Sequence, residues 1–592
     1  MKRKARLFVW SLAAVFAWRA GAADLSAIRA VDSRNLANGY RIPSENYTDQ
    51  PYVVVTTNGS WVCVMTTGAG IEGQRGQHVV SCVSTNQGKS WSEPVDIEPA
   101  SGPEASWATP FATPYGRIYV FYVWNGDEIV TLPNSERRVR SDTHGWYVFR
   151  YSDDGGFTWS AQRHRVPIRT TSVDRRNPWR GEVMHFWSID KPVVQNGKMY
   201  LAFTKLGRYF MQDGEGWIIE SDNILTERDV DKIAFRTLPE GDSGVKNPAF
   251  GSVQEEFNIV PLGTNALFMV NRLGSGTPAQ SISTDGGVSW TAPERMTYST
   301  DGRAFKTPRA CPRVFQTSSG KYLFWYHNNS GKMWSGRNPA FLSGGVLDDN
   351  GFIRWSEPEL VLFDPNPAIR MSYPDLIEQD GQFWITETQK TTARVHPLDR
   401  GLLNGLWHQF TNKAVAQNGL VLEHRPGTIE NPTVPFSFGD LAKGGLSVEL
   451  QFELENTTPG QPLFSTVDKS GKGVAIATVP LGGETVLAIR LCDGIHAVMW
   501  ESDLGAFRDF VGKHHVVFIA DFSAQVISVI ADGVFCDGGM NRPQGWGRLP
   551  KEMEDVKGAL QAEVAAPVRV LRLYDRAIRT SEAVGNFRSL AE

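Results

Sequence analysis

Short apolar runs separated by glycine-centred turns fill most of the chain, and few segments repeat with the period of a helix. Residues 119–123, 199–203 and 322–326 are runs of this kind, and each follows a turn that contains glycine. Alternating runs with tight turns about every 8–12 residues are typical of antiparallel sheets. The pattern therefore predicts an all-β protein built from many short strands.

One motif, with the form S-x-D/N-x-G-x-S/T-W, recurs along the chain. Its full copies are residues 84–91, 152–159 and 283–290. A weaker copy at 348–355 keeps the turn and the tryptophan, and a degenerate one lies near 221–223. Asp or Asn bonds backbone amides within a turn, and glycine takes the positive φ, so the motif is predicted to be structural. Its spacing of about 65 residues indicates a repeat architecture, and residues 41–415 have room for six four-stranded propeller blades.

The last part of the chain has a different pattern. Alternating strands at 446–452 and 515–520 and a closing strand at 570–578 resemble those of concanavalin-like and laminin-G-like sandwiches. We therefore predict an all-β chain with a six-bladed β-propeller, residues 24–420, followed by a concanavalin-like β-sandwich, residues 421–592. Carbohydrate binding and simple packing against the propeller are equally open as roles for this sandwich.

The N-terminus has the features of a signal peptide. Basic residues at positions 2–6 precede an apolar stretch at 7–18, and small residues at 20–23 follow. The apolar stretch is too short to span a bilayer comfortably, although an uncleaved anchor is the alternative. We predict that residues 1–23 are removed and that the mature protein is secreted or periplasmic and does not span a membrane.

The composition narrows the classes of partner. A chain of 592 residues is too long for one hydrophobic core, so at least two domains are expected. The formal net charge of −4 lacks the basic excess of a protein that binds nucleic acid. Basic groups that bind an anionic ligand must therefore be placed locally.

The five cysteines are odd in number and widely spaced, without a CxxC or Cys/His cluster that would indicate zinc. We expect mostly buried, inert thiols. One disulfide is allowed, between Cys63 and Cys82 or between Cys492 and Cys536.

Several segments resemble signatures of the sialidase (neuraminidase) superfamily. Residues 40–43 resemble its Arg-Ile-Pro signature, and the repeated turns resemble its Asp-boxes, or BNR repeats. Residues 254–260, followed by Arg272, resemble the stretch that holds a glutamate base and an arginine. Residues 372–376 and 381–387 resemble the motif of the tyrosine nucleophile and a later glutamate. This resemblance covers about two thirds of the chain and implies an exo-α-sialidase that acts on sialylated or other acidic glycans.

The resemblance also implies individual roles. Tyr373 would be the nucleophile and Glu256 its base, with Glu255 as the near alternative. Arginines would hold the carboxylate of the sugar, because guanidinium groups pair bidentately with carboxylates, and Glu387 would orient the first arginine. The clamp would consist of Arg41, Arg272 and, in the third position, Arg337 or its competitor Arg309. No metal or organic cofactor is implied.

The innermost strands of a propeller begin at its central channel, so their first residues should line a pocket. Counting back from the first turn of each predicted blade gives a polar ring of Asp49, Glu104, Asp190, Glu255, Glu256, Arg309 and residues 370–373. This ring predicts a polar site on the propeller axis.

The general acid departs from the family pattern. Sialidases use an aspartate in the loop before the first Asp-box, but the corresponding loop, residues 66–79, contains none. Glu72 and His78 are its titratable residues, and Asp49 or Asp190 could reach in from inner strands. We predict Asp49 and His78 as catalytic and Asp190 as substrate-binding. The departure leaves open a related exo-enzyme that cleaves another acidic sugar by hydrolysis or elimination, and a non-catalytic glycan-binding propeller.

Overall fold

The computed structural model describes residues 25–209, 212–331, 335–425, 438–507, 511–553 and 555–590. Strands far outnumber helices there, which confirms the predicted all-β class. The predicted signal peptide, residues 1–23, lies outside the described residues, so its removal stays a prediction. Among the helices that the structure describes, none is both long and apolar enough to cross a membrane.

The sheets of the first part are antiparallel and pair mostly between strands that are consecutive in the chain. β1 (Tyr40–Ile42) belongs to the last of these sheets. The first sheet contains β2 (Tyr47–Val55), β3 (Trp61–Gly68), β4 (His78–Ser84) and β5 (Val95–Asp96). The next group contains β6 (Ala105–Ala112), β7 (Ile118–Trp124), β8 (His144–Ser152) and β9 (His164–Arg165). It continues into β10 (Met184–Trp187), β11 (Val193–Gln195), β12 (Lys198–Leu206), β13 (Gly214–Ser221) and β14 (Arg236–Leu238). Pairing of β8 with β10 makes these two groups one nine-stranded sheet.

Three further sheets complete this part of the chain. The first contains β15 (Gln254–Leu262), β16 (Ala266–Leu273), β17 (Ala279–Ser283) and β18 (Glu294–Arg295). The second contains β19 (Arg313–Gln316), β20 (Tyr322–Tyr326), β21 (Ala340–Leu347), β22 (Ile353–Trp355) and β23 (Glu359–Leu362). The third contains β24 (Leu376–Gln379), β25 (Gln382–Thr388) and β26 (Ala393–Pro397).

The start of the chain closes the third of these sheets. β1 pairs with β26, with Arg41 opposite Arg394 and Ile42 opposite Ala393. Ile42 is fully buried, whereas Arg41 is exposed, as the alternation of side chains along a strand requires. β1 therefore pairs with a strand that lies about 350 residues later in the chain.

The repeated turns are held by side chains that bond the backbone. In the second copy, Asp154 Oδ1 accepts the N–H of Thr158 at 2.9 Å, and Ser152 Oγ accepts that of Gly156 at 2.8 Å. Gly156 has a φ of +90°, and an added Cβ would lie 2.6 Å from Val62 of the preceding sheet. Glycine is required there both by the backbone conformation and by the close approach of the two sheets.

The C-terminal part contains two antiparallel sheets that enclose their own apolar core. One contains β27 (Leu420–His424), β28 (Gly445–Leu454), β33 (Gly512–Asp521), β34 (Val526–Ala531), β35 (Val534–Phe535), β36 (Gly547–Arg548) and β38 (Val568–Tyr574). The other contains β29 (Pro462–Ser465), β30 (Gly473–Leu481), β31 (Glu484–Cys492), β32 (Ala497–Glu501) and β37 (Glu563–Val564). A second buried cluster joins this part to the earlier sheets and includes Phe324, Trp355, Val517 and Trp546.

Helices are short and peripheral to these sheets. They are α1 (Leu25–Val31), α2 (Ser172–Arg176), α3 (Arg400–His408) and α4 (Thr580–Arg588). The five cysteines are buried and free, so the allowed disulfide is not formed, although Cys63 and Cys82 face each other across β3 and β4.

Candidate active site

A cavity of about 500 Å³ lies among the loops and first residues of the inner strands. Its basic side chains are Arg140, Arg272, Arg309, Arg337, Arg370 and Lys390. Its carboxylates are Glu72 and Glu256, and its aromatic rings are Tyr47, Trp107, Trp187 and Tyr373. The excess of cationic over anionic groups gives the cavity a positive potential, which suits an anionic ligand of monosaccharide size.

Bulges in the inner strands aim central side chains at this cavity. Trp107 and Glu256 have φ of +63° and +51°, and the registers of β6 with β7 and of β15 with β16 shift around them. The Trp107 N–H donates to Thr66 Oγ1 at 2.9 Å, and the Glu256 N–H donates to Thr204 Oγ1 at 3.0 Å. Tyr373, just before β24, has a φ of +49°. Such a conformation is costly for residues other than glycine and persists only where the surroundings hold it, as these threonines do.

Tyr373 and Glu256 form a hydrogen-bonded pair. The phenol of Tyr373 donates to Glu256 Oε1 at 2.8 Å, and the guanidinium of Arg272 lies 2.6 Å from the same oxygen. Burial, reinforced by the charge of Glu256, raises the pKa of Tyr373 well above its ordinary value. The resting phenol therefore keeps its proton, and Glu256 is placed to take it as a nucleophile forms.

Arg272 and Arg309 share one carboxylate, whereas Arg337 has no ionic partner among the residues that the structure describes. Glu255 is fully buried and lies 2.6 Å from Arg272 and 2.9 Å from Arg309. Arg337 donates to Ser372 Oγ at 2.6 Å and to the carbonyl of Arg309 at 2.7 Å, and it forms no ion pair with any residue that the structure describes. Its pKa is lowered by burial. A buried cation without a counter-charge at a cavity wall is a site for an anion.

A network of alternating charges forms the opposite wall. Glu72 lies 3.1 Å from Arg140 and 3.4 Å from Lys390. Burial raises the pKa of Glu72, but the charges of Lys390 and Arg140 outweigh burial and lower it to about 2. Lys390 also donates to Asp49 at 2.5 Å, and its ammonium lies 4.3 Å from the centre of the Tyr373 ring. Glu72 is consequently ionised, and the ammonium of Lys390 lies between Glu72 and Asp49.

Arg41 and Glu387 are not in this arrangement. Arg41 is exposed on β1 and does not line the cavity, because the inward position on that strand belongs to Ile42. Glu387 is buried 3.5 Å from His396 and so does not orient Arg41. The predicted pairing of Glu387 with Arg41 is therefore replaced by a contact between Glu387 and a histidine.

His78 and Asp190 also lie outside the cavity. His78 begins β4 and lies 3.5 Å from Asp96, away from Tyr373. Asp190 is fully buried and accepts hydrogen bonds from Asn258 Nδ2 at 2.7 Å and the Ala202 N–H at 2.9 Å. These bonds tie the segment before β11 to β12 and β15, which gives Asp190 a structural role.

Asp49 lies one contact behind the cavity wall. It accepts hydrogen bonds from Lys390 and from the Tyr47 hydroxyl, at 2.5 and 2.7 Å. Burial raises its pKa against the opposing charge of Lys390. Asp49 thus contacts the cavity through other side chains.

Sequence reasoning missed Arg140 and Lys390. Arg140 lies in the loop between β7 and β8, and Lys390 lies in the loop after β25. No periodic pattern fixes which side chain points inward in such loops. Arg370 belonged to the predicted polar ring without a role, and its position three residues before Tyr373 was the available signal.

The comparison with known protein families supports the repeat. The sequence model of the BNR repeat-like domain matches residues 83–385, about half of the chain. Among curated proteins, none matches. Similar solved structures include a Trypanosoma rangeli sialidase, at 13% identity and a TM-score of 0.41, with 92% of this chain and 94% of that chain covered. An intramolecular trans-sialidase from Ruminococcus gnavus shares 13% identity at a TM-score of 0.43, with 61% and 96% covered. A protein of unknown function from Dyadobacter fermentans shares 13% identity at a TM-score of 0.44, with 61% and 97% covered.

The chain belongs to the BNR repeat-like family. This membership confirms the resemblance to the BNR-repeat superfamily that the Asp-box turns carried. The matched segment contains three full copies of the motif as well as Glu256, Arg337 and Tyr373.

Proposed function

We propose that the protein is an exo-α-sialidase, which removes a terminal sialic acid from glycans with retention of configuration. The observation that carries the proposal is the hydrogen bond from Tyr373 to Glu256 beside the unpaired, buried guanidinium of Arg337. A glycan-binding protein needs the cation but has no use for a phenol that is paired with a base.

The geometry supports a two-step displacement. Arg337, together with Arg272 and Arg309, binds the sugar carboxylate and places the anomeric carbon near the phenol. Tyr373 Oη forms a bond to that carbon while its proton passes to Glu256. The bond to the leaving oxygen breaks, and the leaving oxygen takes a proton from Lys390. In the second step, water gives a proton to Lys390 and its oxygen bonds to the anomeric carbon. The tyrosyl–sugar bond breaks, and Glu256 returns the proton to Tyr373.

The architecture is part of the proposal. The sheet groups β2–β5, β6–β9, β10–β14, β15–β18, β19–β23 and β24–β26 with β1 support a six-bladed propeller. The two C-terminal sheets support a concanavalin-like sandwich, with the division near residue 420. Export to the periplasm or the outside of the cell is proposed from the pattern of residues 1–23.

A second candidate is an exo-enzyme that acts on another acidic sugar. It is favoured by the position of Arg41, because a clamp without that residue is built differently from the one that the sialidase resemblance implies. The ionised Glu72 also differs from the family's aspartic acid. Both candidate enzymes bind the carboxylate of an acidic sugar and use Tyr373 as the nucleophile.

The test is hydrolysis of a fluorogenic α-sialoside and, in parallel, of a fluorogenic uronide. Tyr373→Phe removes the nucleophile and is expected to lower kcat/KM at least about 10³-fold. Arg337→Met removes a cation without stranding a carboxylate, unlike substitution of Arg272, and is expected to lower kcat/KM about 10²-fold. Tyr326→Phe is the matched control, because Tyr326 is buried, its hydroxyl shares a hydrogen bond with that of Tyr298, and it does not line the cavity.

Each outcome has a defined meaning. Cleavage of the sialoside, lost in the two cavity variants and kept in Tyr326→Phe, supports the sialidase. Cleavage of the uronide alone supports the second candidate. Full activity of Tyr373→Phe on either substrate contradicts the tyrosine mechanism.

A further inference from the structure

A loop of the C-terminal part, residues 537–548, is hydrogen-bonded to the segment that leads to Arg309. Lys306 lies three residues before that arginine and is nearly buried. Its ammonium donates to the carbonyls of Asp537, Gly539 and Arg542 at 2.7, 2.6 and 3.1 Å. Three carbonyl acceptors satisfy all the protons of the ammonium, so its position and that of the loop are fixed together.

The same loop also grips the segment that leads to Arg337. The Trp546 indole N–H donates to the carbonyl of Asn328 at 3.0 Å, and the Ser330 N–H donates to the carbonyl of Pro543 at 2.8 Å. Arg548 donates to the carbonyl of Asn338, the neighbour of Arg337, at 2.8 Å. Contacts from the C-terminal part therefore hold residues 328–330 and also the neighbour of Arg337.

The two gripped segments are bonded to each other. The Asn329 N–H donates to the carbonyl of Lys306 at 3.2 Å, and Arg337 donates to the carbonyl of Arg309 at 2.7 Å. Displacement of either segment would thus disturb both arginines, and through the bond of Arg337 to Ser372 it would also reach the neighbour of Tyr373.

We propose that residues 537–548 of the C-terminal part position Arg309 and Arg337, so that this part of the chain sets the affinity of the cavity for an anionic sugar. Lys306 and Trp546 are positioning residues in this arrangement, since neither lines the cavity. The inference rests on the proposed function for its substrate. It assigns the sandwich an integral part in the site, in addition to any glycan binding of its own.

The chemistry of the contact explains why it can act on the cavity. A buried ammonium that loses its acceptors is costly, so the carbonyl cage holds Lys306 more firmly than apolar packing alone would. The pKa of Lys306 is lowered by burial, which the nearby Asp537 opposes. An error of about 1 Å in the placement of a substrate-binding group can cost about 10²-fold in rate.

The experiment uses the full chain and two readouts. Lys306→Met removes the ammonium that the three carbonyls bind. Trp546→Phe removes one hydrogen bond and retains an aromatic ring, in case the first variant does not fold. Arg579→Met is the matched control, because Arg579 lies 2.9 Å from Asp399 in another contact between the two parts and does not line the cavity. Amide hydrogen exchange is followed at Asn329 and Ser330, and kcat and KM are measured with the substrate that the wild type cleaves.

The inference predicts faster exchange at Asn329 and Ser330 in both interface variants, with KM raised about tenfold in Lys306→Met and kcat changed by less than about threefold. The control should leave both readouts at the wild-type level. Unchanged exchange in Lys306→Met and Trp546→Phe, or an equal rise of KM in Arg579→Met, overturns the inference. Exchange does not depend on turnover, so an inactive wild type would contradict the proposed function while the exchange data still tested the coupling.

Discussion

At the residue scale, one buried carboxyl couples stability to pH. Glu104 is buried directly before β6. Burial, together with the charge of Asp142, raises its pKa from 4.5 to about 8. The folded state therefore binds a proton that the unfolded state releases between pH 4.5 and about 8. The contribution of Glu104 to the free energy of unfolding is therefore greatest below pH 4.5 and declines as pH rises through that window.

Glu104→Gln should abolish this dependence, since an amide does not titrate. The Tm of the variant minus that of the wild type is expected to increase between pH 4.5 and 8 and to level off above it. Thermal unfolding at several pH values measures the difference. A difference that does not change with pH would show that Glu104 is ionised in the fold.

Sequence reasoning could reach some site residues and not others for a physical reason. Tyr373 stands just before β24 and Glu256 near the start of β15, where the repeat predicts which residues reach the pocket. Lys390 and Arg140 stand in loops whose course depends on contacts distant in sequence, so no local pattern points to them. Arg41 belonged to a recognisable signature, yet the pairing of β1 with β26 turns it outward.

At the element scale, the Asp-box turn is fixed by a few charge-assisted bonds. Asp154 accepts hydrogen bonds from the Thr158 N–H and hydroxyl at 2.9 and 2.6 Å and from the Ser152 hydroxyl at 2.8 Å. Burial raises the pKa of Asp154, but these bonds outweigh burial and lower it below its ordinary value of 3.8. The first copy carries Asn86 instead, which bonds the Ser90 N–H at 2.9 Å in the same way.

Asp154→Ala should therefore lower the free energy of unfolding by about 2 kcal/mol, because several bonds to a charged acceptor are lost. Asp154→Asn, which copies the first turn, should cost clearly less. Because the pKa of Asp154 is depressed in the fold, the difference between wild type and Asp154→Ala should shrink as pH falls below 3.8. Thermal unfolding of the three proteins checks both points, and equal losses for Ala and Asn would contradict the role of the side-chain oxygen.

The strands themselves were the most predictable elements. The run at 322–326 coincides with β20, and the run at 199–203 lies within β12, because alternation and flanking glycines are local signals. The degenerate turn near residue 221 keeps a bond between Ser221 and Asn223, at 3.4 Å, although its glycine and tryptophan are lost. The joining of β8 to β10 had no local signal, since it depends on how two neighbouring groups approach each other.

At the scale of the whole molecule, the fold depends on contacts between distant parts of the chain. The C-terminal sheets share an apolar cluster with the sheets of β15–β18 and β19–β23. The N-terminal β1 supplies the edge of the sheet that carries the strand after Tyr373. The site is therefore supported from both ends of the chain, and neither support can be read from the motif around Tyr373 alone.

Neighbouring residues of β1 separate the structural role of this closure from a catalytic one. Ile42 is fully buried against Val53, Trp61 and Val395, so Ile42→Ala should lower the free energy of unfolding by about 2–5 kcal/mol. Arg41→Ala alters an exposed side chain outside the cavity and should change kcat/KM by no more than about twofold. Thermal unfolding and hydrolysis assays on both variants measure the two effects. If Arg41→Ala abolished activity while Tm stayed constant, β1 would contribute to the carboxylate clamp as the Arg-Ile-Pro resemblance implies, and the clamp of Arg272, Arg309 and Arg337 would be incomplete.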